Sequence, residues 1–403
     1  MAYYVATEHL CVGYNGVPLI ENIEIGVRKG EILTLIGPNG SGKSTILKSI
    51  IRQLKLIAGT VVLDGHSVAD MTERELSKKL AIVMTERIRA EMMSCRDLVA
   101  TGRYPYTGML GLLSAEDRKI VDEAIRLVHA EDFAEQSFLE ISDGQRQRLL
   151  LARAVCQEPE VVVLDEPTSF LDIRHKLELL DILKNMARKR NMAVVMSLHE
   201  LDLAQKVSDQ VVCVADHRVD RVGTPEEIFR DEYIRWLYGL GQGSYNALFG
   251  SLEMAPSGGT PKVFVIGGGG SGIPVYRMLQ RNGIPFAAGI LQENDLDYPV
   301  AKALSEELVS VPAYKAPDEA SCDSAKKLIE ACKNVILCTK VFAEGNCANR
   351  ELSKYSRAKG FLTEEDSIPE LIRKLKGSPE AASGAEETEK LPDSPDDSKG
   401  GKL

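Results

Sequence analysis

The sequence predicts an α/β chain built as two domains followed by an acidic tail. Three observations carry that expectation. The runs Val161-Val162-Val163-Leu164, Ala193-Val194-Val195-Met196 and Val211-Val212-Cys213-Val214 are short, continuously apolar and β-branched, as strands buried on both faces of a mostly parallel sheet are. The run Gly37-Pro38-Asn39-Gly40-Ser41-Gly42-Lys43-Ser44-Thr45 stands between the apolar stretch Glu31–Ile36 and the helix-forming Ile46–Ile50. A second series of strand, glycine loop and helix begins at Lys262.

Residues 1–240 read as one domain of alternating strands and helices. Between the strands at 161 and 193 an amphipathic helix is expected, with Ile173, Leu177, Leu180 and Met186 facing inward and Lys184, Arg188 and Lys189 outward. Residues from about 87 to 140 are rich in helix formers and carry candidate caps at Ser94 and Ser114, so they read as a helical insertion. Glycine- and proline-rich stretches at Gly239–Ser244 and Pro256–Pro261 mark residues 241–261 as a linker. A smaller α/β domain of three or four strands is expected over 262–375. Residues 376–403 are mostly Glu, Asp, Ser, Pro and Gly, cannot bury enough apolar surface to order themselves, and are expected to be disordered.

Bulk properties narrow the function. The 403 residues carry a formal net charge of −10, which argues against nucleic acid as the main partner. No window approaches the ~18 continuous apolar residues of a membrane span. Met1–Glu8 has neither the basic start nor the apolar core of a secretory signal. The eight cysteines are scattered without a C-x-x-C pair, which suits reduced thiols. A soluble, cytosolic chain is expected.

Gly37–Thr45 satisfies G-x-x-x-x-G-K-[ST] in the strand–loop–helix context that a phosphate-binding loop requires. Successive backbone N–H groups converge on phosphate oxygens, Lys43 adds a fixed positive charge, and the Ser44 hydroxyl is placed for Mg²⁺. The strand Val161–Leu164 ends in Asp165-Glu166. Behind a phosphate loop, that pair puts Asp165 beside a metal and Glu166 beside the attacking water as a general base, where an isolated acidic strand end would be mere surface. Ser142-Asp143-Gly144-Gln145 opens a helix and offers N–H groups and a hydroxyl to an anion, or serves as an ordinary N-cap. His199 ends another buried strand, where a histidine bonds a γ-phosphate or is structural. A short turn, Ser169–Asp172, follows Glu166-Pro167-Thr168.

In that order the segments GPNGSGKST, ISDGQRQR, VVVLDEP, SFLD and SLHE resemble the ATP-binding subunit of an ABC transporter over about the first 240 residues. The resemblance implies a P-loop ATPase domain. Tyr14 matches the aromatic that stacks on adenine, with a core tyrosine as its alternative. Gly37, Pro38, Asn39, Gly40, Ser41, Gly42, Lys43, Ser44 and Thr45 match the phosphate loop, Ser44 and Asp165 the Mg²⁺ side, Glu166 the base and His199 the switch histidine. Ser142, Gly144 and Gln145 match the motif that closes over ATP held by a second copy. The resemblance also implies a polytopic membrane permease as partner, with a substrate-binding protein, and a peripheral position on the cytoplasmic face of the plasma membrane. Two positions depart from the pattern. Asp143 replaces a glycine and is expected to turn toward Arg146 or Arg148. Thr85 stands where the family has a Mg²⁺-ligating Gln. The stretch Asp97–Tyr106, with Asp64-Gly65 and Gly223–Ile228, resembles importers of iron–siderophore, haem and cobalamin. A soluble ABC ATPase of repair, cluster assembly or translation is the rival class; the coiled-coil or tandem insertions usual there are missing from this sequence.

In the second domain, Val263–Ile266 enters a glycine loop in which Gly267, Gly269 and Gly272 satisfy GxGxxG. Glu293 follows about twenty residues later, where an acid meets a ribose hydroxyl. This Rossmann-like pattern admits NAD or another anionic ligand, which would make the domain an NAD-dependent enzyme or a dinucleotide-regulated module. It also admits glycines that serve only a tight turn and helix–sheet packing in a packing or regulatory domain, which is the favoured reading. Cys338 ends the strand Val335–Leu337 and reads as a buried thiol, and the polar run Glu293–Tyr298 as a solvated loop or a recognition loop.

Overall fold

The computed structural model describes residues 2–84, 93–108, 111–339, 341–342 and 346–376. The chain divides into two compact units, residues 1–253 and 254–403. The tail expected to be disordered lies, beyond Lys376, outside the described residues.

The first unit opens with strands β1 (Val5–Tyr14), β2 (Val17–Ile23) and β3 (Gly26–Val27), enters β4 (Ile32–Ile36) and helix α1 (Lys43–Ile50), then β5 (Ala58–Leu63) and β6 (His66–Ser67). β1 pairs antiparallel with β2, β3 and β5, and β5 with β6. The expectation of a mostly parallel domain passed over this antiparallel sheet. Its local signal is Asn15-Gly16, whose φ values of 52° and 79° close β1 onto β2 as a two-residue hairpin turn requires.

Helix α2 (Glu73–Lys79) leads to β7 (Leu80–Val83), and α3 (Cys95–Ala100), α4 (Ala115–Leu127) and α5 (Asp143–Cys156) form the helical segment. Ser94, Ser114 and Ser142 start these three helices with reciprocal capping boxes to Asp97, Asp117 and Gln145. There follow β8 (Val161–Leu164), α6 (Ile173–Arg190), β9 (Ala193–Ser197), α7 (Leu201–Val207), β10 (Gln210–Ala215), β11 (Arg218–Gly223), α8 (Pro225–Ile228) and α9 (Asp231–Leu237). The central sheet runs β11-β10-β4-β9-β8-β7. Its pairs are parallel except for the β10–β11 hairpin. β4, β8 and β9 are buried along their whole length, which explains their unbroken apolar runs. Ile46, Leu47 and Ile50 of α1 share one core with Val12, Ile20 and Leu35, so the helix behind the phosphate loop is clamped between the two sheets.

Two expectations are corrected. On α6 the buried residues are Leu179, Leu180, Ile182, Leu183, Met186 and Ala187, while Ile173 and Leu177 are 79% and 55% exposed. The stripe that meets the sheet begins one turn later than the spacing suggested. Residues 241–261 are not a plain linker. They contain the hairpin β12 (Ser244–Asn246) with β13 (Ser251–Glu253). Tyr245 is buried there in the core of the first unit, 6.4 Å from the Phe229 ring, because an aromatic of that size stabilises the hairpin through the apolar area it removes from water.

The second unit holds β14 (Val263–Ile266), α10 (Ile273–Arg281), β15 (Phe286–Gln292), α11 (Tyr298–Leu304), β16 (Glu307–Val311), α12 (Glu319–Cys332), β17 (Val335–Leu337), α13 (Cys347–Ala358), β18 (Leu362–Thr363) and α14 (Ile368–Lys376). Its described strands number five rather than three or four, all parallel, in the order β16-β15-β14-β17-β18. Apolar clusters cover both faces of the sheet. The strand order reverses at β14, which is flanked by β15 and β17, and such a reversal opens a crevice at the carboxyl ends of the strands.

Candidate functional site

The phosphate loop leaves β4 and ends at the first turn of α1. A side chain at Gly37 would put its Cβ 2.0 Å from the Val214 carbonyl oxygen, and one at Gly42, where φ is +106°, would meet Ile20 Cδ1 at 2.4 Å. The loop therefore passes closer to its supports than any other residue allows. Lys43 is 5% exposed, and its Nζ donates to the carbonyls of Gly37 at 2.8 Å and Pro38 at 2.9 Å. Burial lowers its pKa, while Glu166 and Asp165 pull it back up. Ser41 Oγ is buried without a hydrogen-bond partner. A buried ammonium held by neutral carbonyls, beside an orphan hydroxyl, fits an anion supplied from outside the chain.

The acids converge on this loop. Ser44 Oγ donates to Asp165 Oδ1 at 3.1 Å, and Ser197 Oγ donates to the same oxygen at 2.7 Å. Ser197 Oγ also accepts the Glu166 amide at 2.8 Å. His199 Nε2 lies 2.5 Å from Glu166 Oε1, and Ser169 Oγ donates to Glu166 Oε2 at 3.2 Å. Glu166 adopts φ +47°, a left-handed conformation uncommon outside glycine, which re-aims its side chain after the straight run of β8. The hard oxygens of Ser44 and Asp165 suit Mg²⁺. Thr85 lies outside the described residues.

Tyr14 is 50% exposed, and its hydroxyl stands 3.2 Å from Thr45 Oγ1, so it is a surface ring at the loop and not a core tyrosine. Pro38 is half-buried, while Asn39 and Gly40 are exposed at the loop's tip. Ser142, Gly144 and Gln145 keep their bonds within their own helix cap: Ser142 N donates to Gln145 Oε1 at 2.9 Å, and Gln145 N to Ser142 Oγ at 3.3 Å. A Cβ at Gly144 would approach His175 Nδ1 to 3.2 Å. Asp143 pairs with Arg146 at 3.0 Å, the first of its two expected partners.

Three residues escaped the sequence reasoning. Ser197, fully buried, ties Asp165 to Glu166; its signal is a lone hydroxyl closing the apolar strand β9. Tyr238, one residue past α9, accepts the Gly37 amide on its hydroxyl at 3.1 Å. Burial raises the pKa of that hydroxyl, keeping it neutral, against the pull of the Gly37 amide. Nothing local marks Tyr238. Arg103, 4% exposed, bonds Asp117 Oδ1 at 2.9 Å, the Cys156 carbonyl at 2.8 Å and Glu158 at 2.8 Å, pinning Gly102–Tyr106 to the end of α5.

The second glycine loop is occupied by its own chain. Asp297 Oδ2 accepts the amides of Gly268 at 2.5 Å and Gly272 at 2.9 Å, and Asp297 Oδ1 accepts that of Ile273 at 3.2 Å. Asp295 accepts the Gly269 amide at 2.9 Å. Burial pushes the Asp297 carboxyl above its ordinary range, opposed by the Gly272 and Gly268 amides. Cβ atoms at Gly267 and Gly272 would each fall 2.4 Å from the Tyr276 hydroxyl oxygen. Glu293, where an acid was expected, is exposed and is not among the residues lining the adjoining cavity.

Residues 20–169 match the family described as ABC transporter, and residues 286–390 match the MJ0874 family. The chain is 42% identical over 286 residues to the ABC transporter ATP-binding protein MJ0873 of Methanocaldococcus jannaschii, covering 71% of this chain and 99% of that one. It is 31% identical over 329 residues to the cobalamin import ATP-binding protein BtuD of Halobacterium salinarum, covering 80% of this chain and 82% of that one. It is 34% identical over 234 residues to the iron(3+)-hydroxamate import ATP-binding protein FhuC of Bacillus subtilis, covering 58% and 87%. Among solved structures it is similar to CbiO1 of Clostridium perfringens, part of the ABC transporter complex CbiONQ, with TM-score 0.51, 25% identity, and 58% and 93% of the two chains covered. With its phosphate loop, its Asp165-Glu166 strand end and these relatives, the chain belongs to the ATP-hydrolysing, ATP-binding subunits of the ABC transporters.

Proposed function

We propose that the chain powers import of a metal chelate of the iron–siderophore, haem or cobalamin class through a separate polytopic permease, acting as a dimer of two copies on the cytoplasmic face of the membrane. The convergence of Lys43, Ser44, Asp165, Glu166 and His199 on one loop carries this reading. Lys43 and Ser41 turn their donors to the ATP phosphates, and Tyr14 covers the base. Ser44 and Asp165 would hold Mg²⁺, which supplies charge neutralisation when bound. Glu166 takes the proton of the attacking water as general base, and His199 fixes the orientation of that carboxylate. Ser142, Gly144 and Gln145 complete the site of the second copy: they open α5, where the positive end of a helix favours an anion, and the ATP phosphate would take the Ser142 hydroxyl over from its cap bond to Gln145. Cargo class follows from the names of the relatives and from the segment around Arg103, whose buried anchor holds the insertion in one shape for a partner. No helix among the described residues is long and apolar enough to cross a membrane.

The test is recovery from detergent-solubilised native membranes. The tagged chain is expected to bring down a polytopic permease, and the purified complex to hydrolyse ATP faster when a cargo-loaded binding protein is added. Recovery solely as a soluble homodimer, or ATPase activity indifferent to every chelate, overturns the transport reading.

A further inference from the structure

Gly144 lies in the first turn of α5 without the positive φ that would call for glycine, and glycine is a poor helix former. What needs the missing side chain is His175. A Cβ at Gly144 would stand 3.2 Å from His175 Nδ1, 3.4 Å from Cγ and 3.6 Å from Cε1. Three ring atoms at nearly equal distances mean that the imidazole lies flat against the glycine. We propose that His175 is a positioning residue of the ATP site that two copies build together. It takes its orientation from Asp172, in the turn that follows Glu166, and its ring sets the Ser142–Gln145 motif that one copy offers to the ATP of the other. The inference rests on the reading of Ser142, Gly144 and Gln145 given above, and adds the residue that joins the two half-sites of one chain.

The orientation comes from Asp172. That residue caps α6, and a cap needs a single bond, which the His175 amide gives to Asp172 Oδ1 at 2.9 Å. The second oxygen, Oδ2, takes His175 Nδ1, also at 2.9 Å. An ionised carboxylate only accepts, so Nδ1 carries the proton and the half-buried ring is held by its edge while its face stays on Gly144. The His175 amide holds the Asp172 carboxyl below its ordinary range, against the opposing effect of burial, which keeps both oxygens free to accept.

Asp172 in turn ends a braced segment whose first residue is Glu166. Ser169 donates its amide to the Glu166 carbonyl at 3.1 Å and its hydroxyl to Glu166 Oε2 at 3.2 Å. The Leu171 amide donates to the Thr168 carbonyl at 3.3 Å, and the Leu171 side chain is buried in the core. Thr168 Oγ1 donates to Glu200 Oε2 at 2.8 Å, and the other oxygen of Glu200 pairs with Lys176 in the first turn of α6. Turn and helix start therefore move as one piece, with the general base at one end and His175 at the other. The ATP site of one copy and the motif that copy lends share this support. Packed and hydrogen-bonded contacts of this kind are what carry coupling between sites.

The experiment uses the full chain with Glu166→Gln as parent, so that ATP persists while dimers are measured. ATP affinity is titrated at protein concentrations where the copies are apart, and ATP-driven dimerisation is followed by sedimentation velocity. His175→Ala is expected to keep ATP affinity within about twofold and to weaken dimerisation by about tenfold or more, the size of one lost hydrogen bond to a charged group. His175→Asn keeps a donor for Asp172 without the ring, and His175→Phe keeps a ring at Gly144 without the donor. Neither is expected to restore the dimerisation of the parent, because the link needs both ends, and both serve in place of His175→Ala should that variant lose cooperative unfolding. Full restoration by His175→Asn would reduce the residue to a helix-cap partner, full restoration by His175→Phe to packing, and either overturns the proposal. So does undiminished dimerisation in His175→Ala, or a loss matched by an equal loss of ATP affinity. A parent that binds ATP and stays monomeric overturns the two-copy reading of the site, and the inference with it.

Discussion

His199 holds its Nε2 2.5 Å from Glu166 Oε1, and the other oxygen of Glu166 takes the Ser169 hydroxyl at 3.2 Å. The carboxylate is thus oriented from both sides. Glu166→Gln keeps the shape and removes the basicity. It is expected to bind ATP with near-normal affinity and to hydrolyse it about 10²–10⁴-fold more slowly, the range for loss of a positioned general base. Nucleotide titration and single-turnover hydrolysis measure the two quantities separately. Unchanged turnover would remove Glu166 from the base role.

The Gly37–Tyr238 bond makes a second prediction. Tyr238→Phe leaves the ring and removes the acceptor from the buried Gly37 amide. A buried donor without a partner costs about 1–3 kcal/mol. Urea denaturation is expected to show a loss in that range, and ATP affinity to fall because the first residue of the loop is no longer held. A variant with wild-type stability and affinity would mean that water replaces the hydroxyl.

Gly267 and Gly269 are expected to differ although both belong to one motif. A methyl at Gly267 meets the buried Tyr276 hydroxyl oxygen at 2.4 Å and Asp297 Oδ2 at 2.7 Å, while one at Gly269 meets nothing within 4 Å. Gly267→Ala should destabilise the second unit by about 3 kcal/mol, the upper end for overpacking a core. Gly269→Ala should cost about 1 kcal/mol, for the left-handed backbone alone. Calorimetry of the two variants decides it, and equal effects would contradict the packing explanation of the glycines.

Arg103 and Asp117 give a pH-dependent prediction. Removing one member of a buried pair costs about 3 kcal/mol, so Asp117→Asn should lose about that at neutral pH. The Ser114 hydroxyl and amide, with Arg103, hold the Asp117 carboxyl below the usual range against the opposing effect of burial. An acid with a lowered folded pKa contributes stability above its unfolded value, about 3.9, and loses it as pH falls through the lower folded value. The difference between wild type and Asp117→Asn should therefore shrink on acidification from neutral pH to about pH 3. A pH-independent difference would show that charge at Asp117 is not what anchors Arg103.

Legibility in the sequence followed locality. The phosphate loop, Asp165-Glu166 and His199 each follow a strand whose run of apolar residues marks it, so their place in the fold is legible in the sequence. The antiparallel sheet was passed over because its strands are interrupted and half-exposed, and its local signal, the Asn15-Gly16 turn, went unread. On α6 the spacing of Ile173 and Leu177 suggested a buried face, yet burial depends on where the sheet stops, which no periodicity contains. In the second unit the GxGxxG spacing left a ligand and a packing role both open, and it is Asp297, far along the chain, that takes the loop amides.

The sequence by itself determined what contiguous residues can dictate: a strand, a glycine turn and a helix that together present backbone amides, twice over in one chain, the first time with a lysine. Tertiary structure decided which of those two loops faces outward for an anion and which is filled from within. The reason is that a backbone amide is satisfied by whichever acceptor the fold delivers to it. Tyr238 reaches Gly37 across 201 residues, and Asp297 reaches Gly268 across 29. Because a buried amide is too costly to leave unpaired, the distant partner, and not the motif, settles what each loop can bind.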